Sequence, residues 1–159
     1  MSSRDLILVR HAHAGNPAPG QDDAARALSA TGVDEAKAAG AWLKQHGAAP
    51  DRVLSSPAVR AGSTCALIAD ALGIAPAQED ARIYEATPAT LLRLLDENAD
   101  ARCLMLVGHN PGLEALVALL SEGTSDSGRG MPPGAVAWLS LPDGEIEPGT
   151  AQVRHFWWP

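Results

Sequence analysis

Short, continuous apolar runs alternate with helix-periodic stretches along most of the chain. Residues 6–9 (LILV) are uniformly apolar and stop at Arg10, the pattern of a strand buried on both sheet faces. A long Gly- and Pro-containing loop follows, roughly from Ala12 to Leu28. Val33, Ala36, Gly40 and Leu43 then recur at 3-4-3 spacing, with Ser29 or Thr31 placed to cap the helix and Gly47 to stop it. Arg52–Ser55 predicts a second strand, and Ser56-Pro57 a serine cap with proline in the first helical position. That helix is expected to run to about Leu72 and end at Gly73.

Thr87-Pro88 repeats the cap-then-proline signal ahead of a helix from Ala89 to about Glu97. Cys103–Val107 (CLMLV) is the most apolar strand; Gly108-His109 turns the chain, and Asn110-Pro111 opens a helix with Leu113, Leu116, Val117 and Leu120 on one face. Residues 121–134 read as a surface loop. Ala135–Leu141 and Ala151–Trp157 read as strands joined through Pro142-Asp143-Gly144. No repeat, linker or composition break interrupts the 159 residues, so the expectation is one α/β domain over residues 1–159: three αβα layers around a mainly parallel sheet.

This arrangement has a chemical consequence. Right-handed crossovers place the loops after parallel strands at one end of the sheet. Arg10 and His11 end the first strand, Arg60 lies in the first turn after the second, and His109 ends the third. Helix N-termini near Pro57 and Pro111 face the same crevice, and helix N-termini favour anions.

Composition narrows the partners. The formal charge is −7 and no Lys/Arg block exists, which argues against nucleic acid or an anionic membrane. Cys65 and Cys103 sit in apolar stretches and read as small core residues of a reduced protein. The opening MSSRD precedes only four apolar residues, too few for a signal segment or a membrane span, so the expected location is the cytoplasm. Abundant Ala and Gly predict helices packed closely through small side chains.

Three readings compete for Arg10, His11 and His13. A metal site lacks further ligands at suitable spacing, and Arg10 repels a cation. Barrel folds that ligate a metal through His-x-His after strand one also need roughly 200 residues or more. As solvated loop residues each side chain is unremarkable alone, and that reading is kept for His46, His155 and His13. It does not account for Arg or His at every strand end of an acidic protein. A phosphate site does: Arg forks match phosphate oxygens, and a free imidazole with a pKa of about 6.5 is largely unprotonated at neutral pH and able to attack phosphorus.

Four blocks in this order, LVRHAHAG, LSATGVDEAKAAGAWL, VLSSPAVRAGST and LVGHNPGLEAL, resemble the histidine phosphatase superfamily. The match runs from Leu6 to about Leu141, and the short length resembles the SixA-type phosphohistidine phosphatase branch of this phosphoglycerate mutase-like fold. The resemblance implies His11 as nucleophile, Arg10, Arg60 and His109 as the rest of the phosphate pocket, and no cofactor or metal. Asn110 is placed beside the pocket, with an equal role as helix cap, and Ser55 and Ser56 are read as shaping the turn. Members that cleave phosphate esters use a carboxylic acid between the block that holds Arg60 and the block that holds His109, and Glu85 in RIYEATPATLL is the candidate. The superfamily's usual Arg-His-Gly is Arg-His-Ala here, and alanine at position 12 would be strained if a positive φ were needed. The leading expectation is a phosphatase for phosphohistidine of a protein. A small-molecule phosphomonoesterase is the alternative, and a non-catalytic phosphate-binding module the reading from a different class.

Overall fold

The computed structural model describes residues 3–126 and 130–159. The strands are β1 (Ser3–Arg10), β2 (Arg52–Ser55), β3 (Gln78–Glu79), β4 (Cys103–Gly108), β5 (Val136–Pro142) and β6 (Gln152–Trp157). Between them lie α1 (Ala30–Gln45), α2 (Val59–Leu72), α3 (Pro88–Glu97) and α4 (Gly112–Glu122). The sheet order is β3-β2-β4-β1-β5-β6. The first four strands of that order are parallel, and β5 and β6 close the sheet antiparallel. β1 and β4 are therefore central, which is why their sequences are apolar without alternation.

Side-chain alternation divides the core between two faces. Leu6, Leu8, Leu104 and Leu106 pack with Leu91, Leu94, Leu113 and Leu116 of α3 and α4. Ile7, Val9, Met105 and Val107 pack with Leu43, Ala61, Cys65 and Ile68 of α1 and α2. Small residues do bring α1 and α2 together: a Cβ on Gly40 would stand 2.8 Å from the Ala71 Cβ. Both cysteines are buried and free.

Caps follow the sequence signals in α1 and α3. Ser29 accepts from Gly32 N–H, and Thr87 accepts from Thr90 N–H ahead of Pro88. The start of α2 differs from expectation. It begins at Val59, because Ser56 Oγ accepts from Ala58 N–H and forms a turn that leaves Pro57 outside the helix. The strand β3 is a two-residue edge pairing that carries no apolar signal. The 12–28 loop holds a 3-10 turn at Asp23–Ala25 and an isolated bridge between Ala14 and Leu28. Of the 121–134 segment, residues 121–122 complete α4, and residues 127–129 lie outside the described residues.

The loop after β1 lies directly on the first turn of α1. A Cβ on Gly32 would meet His13 O at 1.9 Å, so only glycine permits this approach. The C-terminal aromatics are divided between packing and exposure. Trp157 stacks on Trp42 at 5.5 Å, Phe156 lies against the core, and Trp158 is 55% exposed. No helix among the described residues is long and apolar enough to cross a membrane.

Candidate active site

The crevice outside the carboxyl ends of β1, β2 and β4 is a cleft of about 610 Å³, and Arg10, His11, Arg60, His109, Glu85 and Asn110 all line it. The four strand-end and helix-start residues of the sequence reading thus converge. His13 and Arg26, from the loop after β1, and Tyr84 join them.

His11 follows directly from β1, with its N–H donating to Gly108 O of β4. Its Nδ1 lies 2.8 Å from Ala12 O and donates to it, which leaves Nε2 as the bare acceptor. Arg60 Nε points at that Nε2 from 3.4 Å. Burial, with added repulsion from Arg60 and Arg10, lowers the His11 pKa to about 4. The imidazole is neutral at pH 7. Ala12 N–H donates to Thr64 Oγ1, whose hydroxyl donates to Arg60 O, so one buried threonine ties the His11 loop to α2. Glu85 is the one non-glycine residue with positive φ among the described residues, so Ala12 carries no such strain.

His109 stands beside His11, with ring centroids 5.1 Å apart. Its pKa is also lowered to about 4, chiefly by burial and then by His11 and Arg60. Ser56 Oγ, fully buried, accepts from Ala58 N–H and lies within hydrogen-bond distance of His109 Nε2, at 2.8 Å. The other ring nitrogen, Nδ1, is buried without a partner. Ser56 therefore does more than shape the turn, whereas Ser55 Oγ donates only to the backbone of Ser56.

The two arginines are held differently. Arg10 Nη1 donates to Met131 O, and its Nε is buried and unpaired. Arg60 is only 5% exposed and spends Nη1 on Asp23 O and Nη2 on Asp23 Oδ2. Asn110 is bonded within the protein: Nδ2 donates to Met131 O, and Oδ1 accepts from Glu114 N–H of α4. It lines the cleft and also closes the first turn of α4, as the dual expectation required. Glu85 lies at the exposed rim with φ 55°. The turn that carries Tyr84 and Glu85 is fastened by Arg82, which pairs with both Asp80 and Glu97.

Sequence reasoning overlooked Asp23, Arg26 and Tyr84. Arg26 Nε donates to Asp23 Oδ1, and the Tyr84 hydroxyl donates to Asp23 Oδ2 while its ring edge meets His109 at 5.4 Å. None belongs to a periodic element, and no local signal marks Asp23 over its neighbour Asp22. Among the described residues, no three His, Cys, Asp or Glu side chains gather as ligands for a metal ion.

The crevice at the ends of the parallel strands thus gathers two histidines and two arginines. The sequence profile of the histidine phosphatase superfamily (branch 1) matches residues 6–91, and the chain belongs to that superfamily, in its SixA-type branch. Over 159 aligned residues it is 34% identical to the uncharacterized protein Rv1276c of Mycobacterium tuberculosis, covering 93% of this chain and 98% of the relative. Its fold matches a proposed phosphohistidine phosphatase SixA of Agrobacterium tumefaciens over 100% of both chains, with TM-score 0.87 and 27% identity. A second proposed SixA, from Nakamurella multipartitia, matches over 100% of this chain and 98% of that one, with TM-score 0.84 and 30% identity.

Proposed function

We propose that this phosphatase removes phosphate from phosphohistidine of a partner protein, with His11 as the nucleophile. The observation that carries the reading is the neutral His11, whose Nε2 acceptor lies in a cleft lined by Arg60, Arg10 and His109. Nε2 attacks phosphorus, and the bond from phosphorus to the leaving nitrogen breaks. Arg10, Arg60 and His109 hold the three equatorial oxygens as charge spreads over them. The leaving imidazole departs with its distal nitrogen protonated. Water then attacks phospho-His11, releasing phosphate and restoring the free imidazole. The proposed location is the cytoplasm.

The choice of a P–N bond rests on the acid inventory of the cleft. Among the described residues, Glu85 is the one carboxylate that lines it, and it lies at the exposed rim. An alkoxide leaving group needs a positioned acid, a contribution of about 10²–10⁴-fold, whereas a protonated imidazole leaves unaided. Phosphohistidine and p-nitrophenyl phosphate hydrolysis in EDTA are expected to persist and to be lost in His11→Ala. Activity removed by EDTA, or retained without His11, would overturn the reading.

Small-molecule phosphomonoester hydrolysis is the second reading, favoured by the fixed position of Glu85 at the rim. Glu85→Gln decides between them. Phosphohistidine turnover is expected to stay within about threefold of wild type, whereas an enzyme for alkyl phosphates loses about 10²-fold or more.

The lowered His11 pKa also predicts the acid limb. A depressed histidine keeps its lone pair until pH falls through the folded value, so kcat/KM is expected to hold from pH 7 to about 5 and decline near pH 4. A pH–rate profile corrected for substrate ionisation checks this. A limb near pH 6.5 would mean a solvated His11.

A further inference from the structure

The geometry points to Asp23 as the positioning residue for Arg60: it holds the end of the guanidinium and turns the remaining edge toward His11. The inference rests on the phosphatase reading above and extends it to a residue in the long loop after β1.

A guanidinium has two usable edges. Nη1 and Nη2 form the end, and Nε with the second hydrogen of Nη2 forms the side. In Arg60 the end is occupied by one residue through two different atoms: Nη1 donates to the Asp23 carbonyl at 2.7 Å, and Nη2 to Asp23 Oδ2 at 2.9 Å. The side edge is turned to the histidine instead: its Nε donates to His11 Nε2 at 3.4 Å. A phosphoryl group taken up on Nε2 brings its oxygens beside this edge, which Asp23 holds in place.

Asp23 is itself fixed on every oxygen. Arg26 Nε donates to Oδ1 at 2.9 Å, and the Tyr84 hydroxyl shares Oδ2 with Arg60. These donors hold the carboxyl group well below the usual carboxylate range, with the Tyr84 hydrogen bond the first cause and Arg60 the second. Asp23 is ionised throughout the working pH range and serves as an acceptor, not as a proton donor to the leaving group. The 3-10 turn at Asp23–Ala25 thereby joins three segments of the site: the loop after β1, α2, and the turn before α3.

The carboxylate is half exposed, while the Arg60 side chain is 6% exposed. Asp23 lies in a 3-10 turn that buries no residue, so its replacement by alanine is expected to leave the fold intact; the guanidinium then keeps the carbonyl contact of residue 23 and loses the carboxylate that fixes Nη2. A misplacement of about 1 Å at a reacting group costs on the order of 10²-fold.

The test is a double-mutant cycle on p-nitrophenyl phosphate with melting curves on each variant. Asp23→Ala is expected to lower kcat about 30-fold, and Arg60→Lys about 100-fold. The double variant should match Arg60→Lys alone, because Asp23 has nothing left to position. Asp23→Asn, which keeps one oxygen acceptor, replaces the alanine variant in the cycle if that variant unfolds, with a smaller drop and the same loss of additivity. A double variant at the product of the two losses, roughly 3,000-fold, would mean an independent structural role and overturn the inference. So would an Asp23→Ala enzyme within about threefold of wild type. A wild type that hydrolyses no p-nitrophenyl phosphate sinks the phosphatase reading and this inference with it. An active wild type beside an equally active Asp23→Ala sinks the inference alone.

Discussion

Replacing His11 with alanine is expected to lower turnover by at least about 10⁴-fold, the scale seen when a covalent nucleophile is removed. The proposed reaction has no route around this side chain. Its Nε2 is the lone pair that faces the cleft, because Nδ1 is committed to Ala12 O. The neighbouring His109 is engaged with Ser56 through Nε2, and its Nδ1 is buried. The fold should be unaffected: the ring sits at the mouth of β1, and the core begins with Val9 and Ala12 on either side. A direct assay is quenching the wild-type enzyme on phosphorylated substrate and isolating phospho-His11 as an acid-labile, base-stable adduct. A His11→Ala enzyme that still forms the adduct, or turns over within tenfold of wild type, would move the nucleophile elsewhere.

Arg60→Lys is expected to cost about 100-fold in kcat/KM while leaving the net charge of the site unchanged. An ammonium is a point charge with three donors, and it cannot span the Asp23 carbonyl, Asp23 Oδ2 and a phosphate oxygen in the fixed planar geometry of a guanidinium. The position is also nearly solvent-free, at 5% exposure, so water does not restore the missing donors. Electrostatics alone would predict a small effect, because the charge is kept. The kcat/KM of Arg60→Lys therefore separates directional hydrogen bonding from simple charge neutralisation. A loss under about threefold would assign Arg60 the latter role.

The location of the site follows from ordinary packing physics. β1 and β4 are apolar on both faces because helices cover both, and their first polar residues emerge where the cover ends. Arg10, His11, Gly108 and His109 occupy that border. An acidic chain of net charge −7 thus concentrates Arg10, Arg26 and Arg60 in a single cleft, which draws a phosphorylated group there in preference to the rest of the surface.

Much of this was determined by the sequence alone, because the signals are local. The buried strands β1 and β4 read from unbroken apolar runs, α1 and α3 from Ser29 and Thr87 caps, and the convergence of His11, Arg10, Arg60 and His109 from strand ends in a parallel sheet. What tertiary structure decided has no local signature. Ser56 looked like the cap of α2, but the approach of β4 brings His109 within 2.8 Å, and its hydroxyl holds that ring instead of starting a helix. Asp23 lies 37 positions from Arg60 and 61 from Tyr84, in a loop with no periodicity, and only the closing of that loop over α2 makes it a partner of both. The pKa values near 4 of His11 and His109 likewise arise from burial that the whole fold imposes. Periodicity and capping report interactions between neighbours in the chain; hydrogen-bond edges, tautomers and desolvation depend on neighbours in space.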